Sequence, residues 1–343
     1  MQFNEAKLIP ELAQLGLFAF GAFLLSMIIT PIYTHFAYKY QWWRKVRTES
    51  VDGKAAPVFH KLHAAKHKRN IPTMAGLIIL LTVAIITFAF NLDRAQTFLP
   101  LFTLLTIGFL GFLDDFLHVR GLADKTGGLS AKVQIVWLTL FALAGAWWFY
   151  SKLGWSTIHV PAYGGIEIGW LYTPLFIAVF FATSKSVGIT DGLDGLAGGL
   201  LTFAFGAFGI ISIFEGNYGI AAFCATVVGA MITYTWFNIY PARFFMGNTG
   251  SIALGATLGV IAMLTNSVFV LPVIGFIFFM EAGSSAIQLL SKKVRGKKIF
   301  LSAPIHHHFE AIGWPETKVT MRFWVIGMVT SVVGVVIGIL GRG

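Results

Sequence analysis

Residues 194–237 read DGLAGGLLTFAFGAFGIISIFEGNYGIAAFCATVVGAMITYTWF. Between Gly195 and Phe237 the single charged side chain is Glu215, set in a Glu-Gly-Asn break at 215–217. An apolar run of about 20 residues, the length that crosses a bilayer as a helix, lies on each side of that break. Two such runs joined by three residues describe successive membrane spans.

The same pattern extends along the whole chain. Ten apolar runs cover roughly 15–37, 72–90, 97–113, 130–150, 171–189, 194–214, 218–237, 250–265, 268–290 and 319–340. The run 250–265 is short and rich in glycine, which suits a tilted, broken or interior helix. Of the 343 residues, 56% are hydrophobic and 12% charged. Soluble domains carry about 25% charged residues, so an ordinary soluble protein is excluded, and so is a disordered one. The first run is too long and too internal for a cleavable signal peptide. No linker or repeat divides the chain, so residues 1–343 are expected to form one all-α membrane domain of about ten transmembrane helices. The single cysteine, Cys224, forms no intrachain disulfide and reads as a packed apolar residue.

The net charge is +10, and in a membrane protein such an excess reports orientation first. With ten spans, 21 of the 25 Lys and Arg fall on one side, leaving 4 on the other. The richer side is expected to be cytoplasmic, with both termini extracytoplasmic. The basic residues lie in short loops between apolar runs, which argues against nucleic acid as a partner. On the outer side, residues 155–170 (WSTIHVPAYGGIEIGW) alternate weakly around turn residues and predict a small hairpin between spans 4 and 5.

The carboxylates Asp114, Asp115, Asp124, Asp191 and Asp194 all fall at helix ends on the basic side. Carboxylates at the centre of a membrane cost about 2.5–3.5 kcal/mol on insertion scales, and less at the water boundary. In GFLGFLDDFLHV, Asp114 and Asp115 end an apolar helix and point about 100° apart, so they need not share a role. In SVGITDGLDGLAGG, Asp191 and Asp194 are three residues apart and would share a face on a helix, with Asp191 as its cap. In NIYPARFFMGNTGS, a polar, glycine-framed helix start suits an anion or a metal–phosphate complex. In KKVRGKKIFLSAPIHHHFE, five basic residues precede His306, His307 and His308. An extended segment would send the first and third imidazoles one way and the second the other. A very basic loop (His60, Lys61, His63, Lys66, His67, Lys68, Arg69) leads into Pro72-Thr73-Met74. Glu281, deep in span 9, is a functional candidate by its position or a polar contact between helices. Carboxylates, helix starts and basic loops on one face suit phosphoryl transfer at a membrane surface, with a lipid as acceptor.

These motifs, in this order, resemble the polyprenyl-phosphate N-acetylhexosamine-1-phosphate transferase superfamily, and within it the phospho-N-acetylmuramoyl-pentapeptide-transferase family. IFLSAPIHHHFEAIGWPETKV, residues 299–319, is the sharpest match, and IPTMAG, FLDDF, TDGLDGLA and FNIYPARFFMGNTGS agree. The resemblance covers nearly the whole chain. It implies transfer of phospho-MurNAc-pentapeptide from UDP-MurNAc-pentapeptide to undecaprenyl phosphate, giving lipid I and UMP, with Mg²⁺. It also implies a homodimer in the bacterial plasma membrane. Carried over by position, it implies catalytic roles for Asp114, Asp115, Asp191, His306 and His307. Asp114, Asp191 and Asn248 would be metal ligands. Substrate contacts would come from Lys68, Thr73, Lys125, Lys132, Asp194, Asn238, Phe245 and His308, with Phe245 near the uracil.

The chain departs from that pattern around one site. Asn248 stands where the family has the aspartate of MGD, and SKSVGITDGLDG stands for SNAVNLTDGLDG, so Lys185 and Gly188 replace two asparagines. Gln134 occupies the region of a family lysine, with Lys132 two residues earlier. Lys185 and Asn248 together make the site about two charges more positive, which weakens a divalent cation and favours a diphosphate. A catalytically weakened relative that binds nucleotide sugar or polyprenyl phosphate is the alternative reading, and a transporter a distant third. The expected outcome is a higher Mg²⁺ requirement or slower turnover than in an Asn248→Asp variant, read as UMP release across a Mg²⁺ series. Equal dependence and equal rate in the two proteins would refute it.

Overall fold

In a computed structural model, residues 5–43, 70–122 and 128–342 are described. The candidates Lys68, Lys125 and Asp124, and most of the basic loop before Pro72, lie outside them. The described chain is helical throughout, apart from one hairpin. Its elements are α1 (Glu5–Lys39), α2 (Gly76–Phe90), α3 (Phe98–Arg120), α4 (Ala131–Trp147), β1 (Thr157–Val160), β2 (Gly164–Glu167), α5 (Tyr172–Thr190), α6 (Leu196–Phe214), α7 (Tyr218–Asn238), α8 (Gly247–Leu264), α9 (Leu271–Ile274), α10 (Phe276–Arg295), α11 (Ile305–Ala311) and α12 (Glu316–Leu340).

All ten apolar runs are helical, and among the described residues eight helices are long and apolar enough to cross a membrane. The other two runs differ for visible reasons. α2 has 15 residues, about 22 Å at 1.5 Å per residue against a hydrocarbon core of about 30 Å. The run 268–290 breaks at Gly275 into α9 and α10, and α10 buries a polar stripe of Glu281, Ser284, Gln288 and Ser291. Those positions recur every three or four residues and so share one face. α10 also ends on Lys292, Lys293 and Arg295.

The glycine-rich run proves to be an interior helix. Every residue of α8 except Asn248 is buried, and α3, α5, α2 and α6 pack around it. Small residues make this possible by letting backbones approach closely, as at helix contacts within membranes. A Cβ added at Gly76 of α2 would sit 2.3 Å from the Gly250 nitrogen of α8. Around this post, α1 packs on α7, α7 on α6 and α6 on α12. The outer helices carry large exposed apolar side chains, such as Phe20, Ile28, Phe109, Trp137, Val325 and Val332. Those faces suit contact with lipid.

The hairpin expected at 155–170 forms between α4 and α5, antiparallel, with Thr157 opposite Glu167 and Val160 opposite Gly164. It is tied to the C-terminal end of α12. Ala162 donates its N–H to the Gly341 carbonyl at 3.0 Å, and His159 donates its N–H to Asn266 Oδ1 at 2.9 Å. Arg342 binds this end together, pairing with Glu215 at 2.6 Å and donating to the Thr265 carbonyl and to Ser267 Oγ. Burial pushes the Glu215 carboxyl up to about 7 from its ordinary 4.5, with Arg342 and Asn217 acting to lower it. The folded chain therefore holds this proton more tightly than the unfolded chain, and stability falls as pH rises between those two values. Thermal unfolding of the detergent-solubilised protein should shift upward as pH drops from 7 toward 4.5. Glu215→Gln should flatten that slope, and an unchanged slope would refute the assignment.

Candidate active site

The carboxylate pair, expected at a helix end, lies inside α3 about a turn and a half before its last residue, Arg120, and is divided between two tasks. Asp115 is fully buried, and its Oδ2 accepts from the Thr249 N–H at 2.9 Å and from Thr249 Oγ1 at 2.8 Å. It thus caps the start of α8 from another helix, where unsatisfied N–H groups and the helix dipole both favour an anion. Gly247 makes the approach possible. Its φ is +71°, and a Cβ there would meet Asp115 Oδ2 at 2.3 Å and Thr73 Oγ1 at 2.7 Å. Thr73 is therefore in the same wall. Its N–H donates to the Trp42 carbonyl at 2.7 Å, and its own carbonyl accepts from the Tyr33 hydroxyl.

Asp114 turns the other way. Its Oδ1 accepts from the Leu129 N–H at 2.6 Å and Gln134 Nε2 at 3.1 Å. Its Oδ2 accepts from Asn248 Nδ2 at 2.5 Å. Lys185, from α5, donates Nζ to Gln134 Oε1 at 3.4 Å. Gln134 and Lys185, two of the departures from the family pattern, thus stand beside Asp114 and Asn248.

The TDGLDG segment corrects one expectation. Asp191 and Asp194 do not share a helix face. They lie in the turn between α5 and α6, because Asp191 ends α5 and Gly195, with φ +78°, precedes α6. Asp194 is locked into that turn from three directions. Its Oδ2 accepts from the Ala242 N–H at 3.0 Å, its own N–H donates to Glu316 Oε1 at 2.6 Å, and its carbonyl accepts from Thr320 Oγ1 at 3.2 Å. Asn238 spans the same junction, accepting from the Gly195 N–H at 2.9 Å and donating to the Phe244 carbonyl at 2.8 Å. Phe244 is buried against Tyr33, Tyr234 and Phe237, while Phe245 beside it is half-buried.

The histidines correct a second expectation. They stand on the short helix α11, not on an extended segment, so all three diverge by about 100° each. His306 Nδ1 lies 2.7 Å from Glu281 Oε2 of α10, both side chains buried. Its other nitrogen reaches the aspartate turn, since a Cβ at Gly192 would lie 2.5 Å from His306 Nε2. His307 Nδ1 lies 2.7 Å from Glu310 Oε2, and the His306 and His307 rings are 4.1 Å apart. His308 accepts from the Leu301 N–H at 3.3 Å through Nδ1. The polar stripe of α10 holds the loop that delivers them. Gln288 accepts from the Ile299 and Phe300 N–H groups at 3.0 Å each, and Ser284 Oγ accepts from the Ile305 N–H at 3.0 Å.

The sequence profile of glycosyl transferase family 4 matches residues 97–266. The chain is 36% identical to the phospho-N-acetylmuramoyl-pentapeptide-transferase of Chloroflexus aggregans over 354 aligned residues, 99% of this chain and 94% of that one. It is 35% identical to the same-named protein of Geobacillus sp. WCH70, over 92% of this chain and 95% of that one. The Bacillus anthracis protein of that name is also 35% identical, over 93% and 96%. The chain belongs to the phospho-N-acetylmuramoyl-pentapeptide-transferase family. It is a membrane transferase of peptidoglycan synthesis.

In this phospho-N-acetylmuramoyl-pentapeptide-transferase homologue, the folded chain gathers most of the expected residues. Asp114 and Asn248 touch, Thr73 and Asp115 meet at Gly247, and His306 reaches the turn holding Asp191 and Asp194. Lys132 stands exposed on α4 and makes no hydrogen bond to them among the described residues, while Gln134 makes the link to Asp114. Two partners were missed by the sequence reading, Glu310 and Glu316, whereas Gln134 and Lys185 had been noted at the site as departures from the family pattern and Glu281 as an acid inside an apolar run. Glu310 and Glu316 lie within the histidine motif itself. For a metal, no group of three His, Cys, Asp or Glu side chains able to hold one occurs among the described residues. The donor set still fits a hard cation that takes most of its ligands from substrate phosphates. Asp114 offers a carboxylate, and Asn248, its amide turned over, offers an oxygen.

The two aspartates should separate by experiment. Asp115→Asn removes the negative charge facing a buried helix start and sets an NH2 donor in place of one carboxylate oxygen, which costs about 1–3 kcal/mol. It should lower the melting temperature clearly, whereas Asp114→Asn should abolish turnover with a smaller shift in melting. Equal melting losses would refute the division.

Proposed function

We propose that this chain transfers phospho-MurNAc-pentapeptide from UDP-MurNAc-pentapeptide to undecaprenyl phosphate, releasing UMP and forming lipid I. The observation that carries the reading is the convergence of Asp114 with Asn248, and of His306 with the aspartate turn, beside a half-buried aromatic, Phe245. The names borne by relatives along nearly the full chain support it. In this reaction a phosphate oxygen of the acceptor attacks the sugar-bound phosphorus of the donor. The bond to the UMP oxygen breaks, and UMP leaves with that electron pair. A phosphate monoester is already nucleophilic, so the chain's task is mainly to position substrates and stabilise charge.

Asp114, Asp191 and Asn248 would hold Mg²⁺, which supplies charge neutralisation on the diphosphate. His306, oriented by Glu281, would donate from Nε2 to a phosphate oxygen near the aspartate turn, with His307 and His308 beside it. Thr73 and Phe245 would line the donor pocket, and Lys68, Lys125 and Lys132 would bring positive charge. Asp194 and Asn238 would serve by holding the turn and the Phe244–Phe245 segment in register. The site would face the cytoplasm of a bacterial cell, in a single domain crossing the plasma membrane ten times, with both termini outside. A homodimer is part of the proposal.

One contact favours a second reading. Asn248 donates to Asp114 where a metal would need oxygen, which suits a relative that binds donor or acceptor without turnover. UMP release by the purified chain, given both substrates and Mg²⁺, decides between them. Release is the expected result. Binding of UDP-MurNAc-pentapeptide without release would install the second reading.

A further inference from the structure

Lys185 is a charged residue in α5, a helix long and apolar enough to cross a membrane. Its side chain is half-buried. Among the described residues its one hydrogen-bond partner is the neutral Gln134 Oε1, at 3.4 Å, and it makes no ion pair. An ammonium carries three N–H donors and is costly to remove from water without a counter-charge. The nearby carboxylate, Asp114, is already supplied with donors on both oxygens by Leu129, Gln134 and Asn248. The cation is therefore held one side chain away from Asp114, while the acid there is served by amide groups.

We propose that Lys185 is a substrate-binding residue that contacts the diphosphate of a nucleoside-diphosphate sugar, supplying locally part of the positive charge a divalent ion would bring. The proposal rests on the donor-substrate reading above and deepens it. Three side chains form one unit in this account. Asn248 leaves this cluster one negative charge poorer than a carboxylate would. Gln134 bridges Asp114 and Lys185, accepting from the ammonium and donating to the carboxylate. Lys185 keeps donors over for phosphate oxygens, with which an ammonium makes short, charge-assisted hydrogen bonds.

The test is equilibrium binding to the purified full-length protein in detergent, with EDTA and with Mg²⁺. The probes are UDP-MurNAc-pentapeptide, UDP-GlcNAc and uridine, the last having the nucleoside without phosphate. Lys185→Asn is expected to lose about tenfold or more affinity for the bound UDP-sugar in EDTA, the size of one charge-assisted contact. It should keep its uridine affinity and its melting temperature. Lys185→Arg should stay close to wild type, and the Lys185→Asn, Asn248→Asp double variant should bind only with Mg²⁺. Unchanged UDP-sugar binding by Lys185→Asn in EDTA would overturn the proposal, as would an equal loss of uridine or a collapse of the fold. Lys185-dependent binding of UDP-GlcNAc alone would sustain the proposal and sink the lipid I reading. Lys185-independent binding of UDP-MurNAc-pentapeptide with UMP release would do the reverse. No binding of either UDP-sugar would sink both.

Discussion

The carboxylate of Asp115 receives the Thr249 N–H and hydroxyl in the first turn of a helix buried along its length, and the working end of the molecule depends on that contact. A helix start inside a protein leaves N–H groups that water cannot reach. α8 begins in the interior because glycines bring α2 and α3 against its backbone. Asp115 answers its polar start with a negative charge. Once α8 is anchored, Asn248 is delivered beside Asp114, and the strand-like segment before it pairs with the chain near Pro72. One capping interaction thus sets the positions of Thr73, Phe245 and Asn248 together.

The histidine end is built by a different device with the same logic. α10 carries a face of Glu281, Ser284, Gln288 and Ser291 that an isolated membrane helix would expose at a cost. Here that face is covered by the 297–311 segment, whose N–H groups and imidazole it receives. The buried polar groups are therefore a template for the loop. Glu281 orients His306 across to the aspartate turn, so two sequence motifs more than 100 residues apart become one surface.

Much of this was legible beforehand. Apolar runs report helices because the bilayer leaves the backbone no other partner than itself, and all ten runs are helical. The hairpin was legible from its turn residues. Helix geometry told that Asp114 and Asp115 point apart, but not that Asp115 would be taken up as a cap. Two local readings failed. Gly192 and Gly195 kept Asp191 and Asp194 off a helix, and the histidine segment coiled where an extended path was expected. In both places the chain follows neighbours that come from elsewhere: Asn238, Glu316 and Ala242 around the turn, Glu281 and Ser284 around the histidines.

By itself, the sequence determined that this is a membrane protein built almost wholly of helices, and its motif order determined the family. Both are properties of composition and local spacing, which act through solvent and backbone alone. Tertiary structure decided which aspartate takes up the start of α8 and which meets Gln134 and Asn248. It also put Gln134 rather than Lys132 beside Asp114, and Lys185 beside Gln134. Those outcomes depend on where separate helices meet, and that is set by backbone approach at glycines and by the pairing of buried polar groups across the bundle.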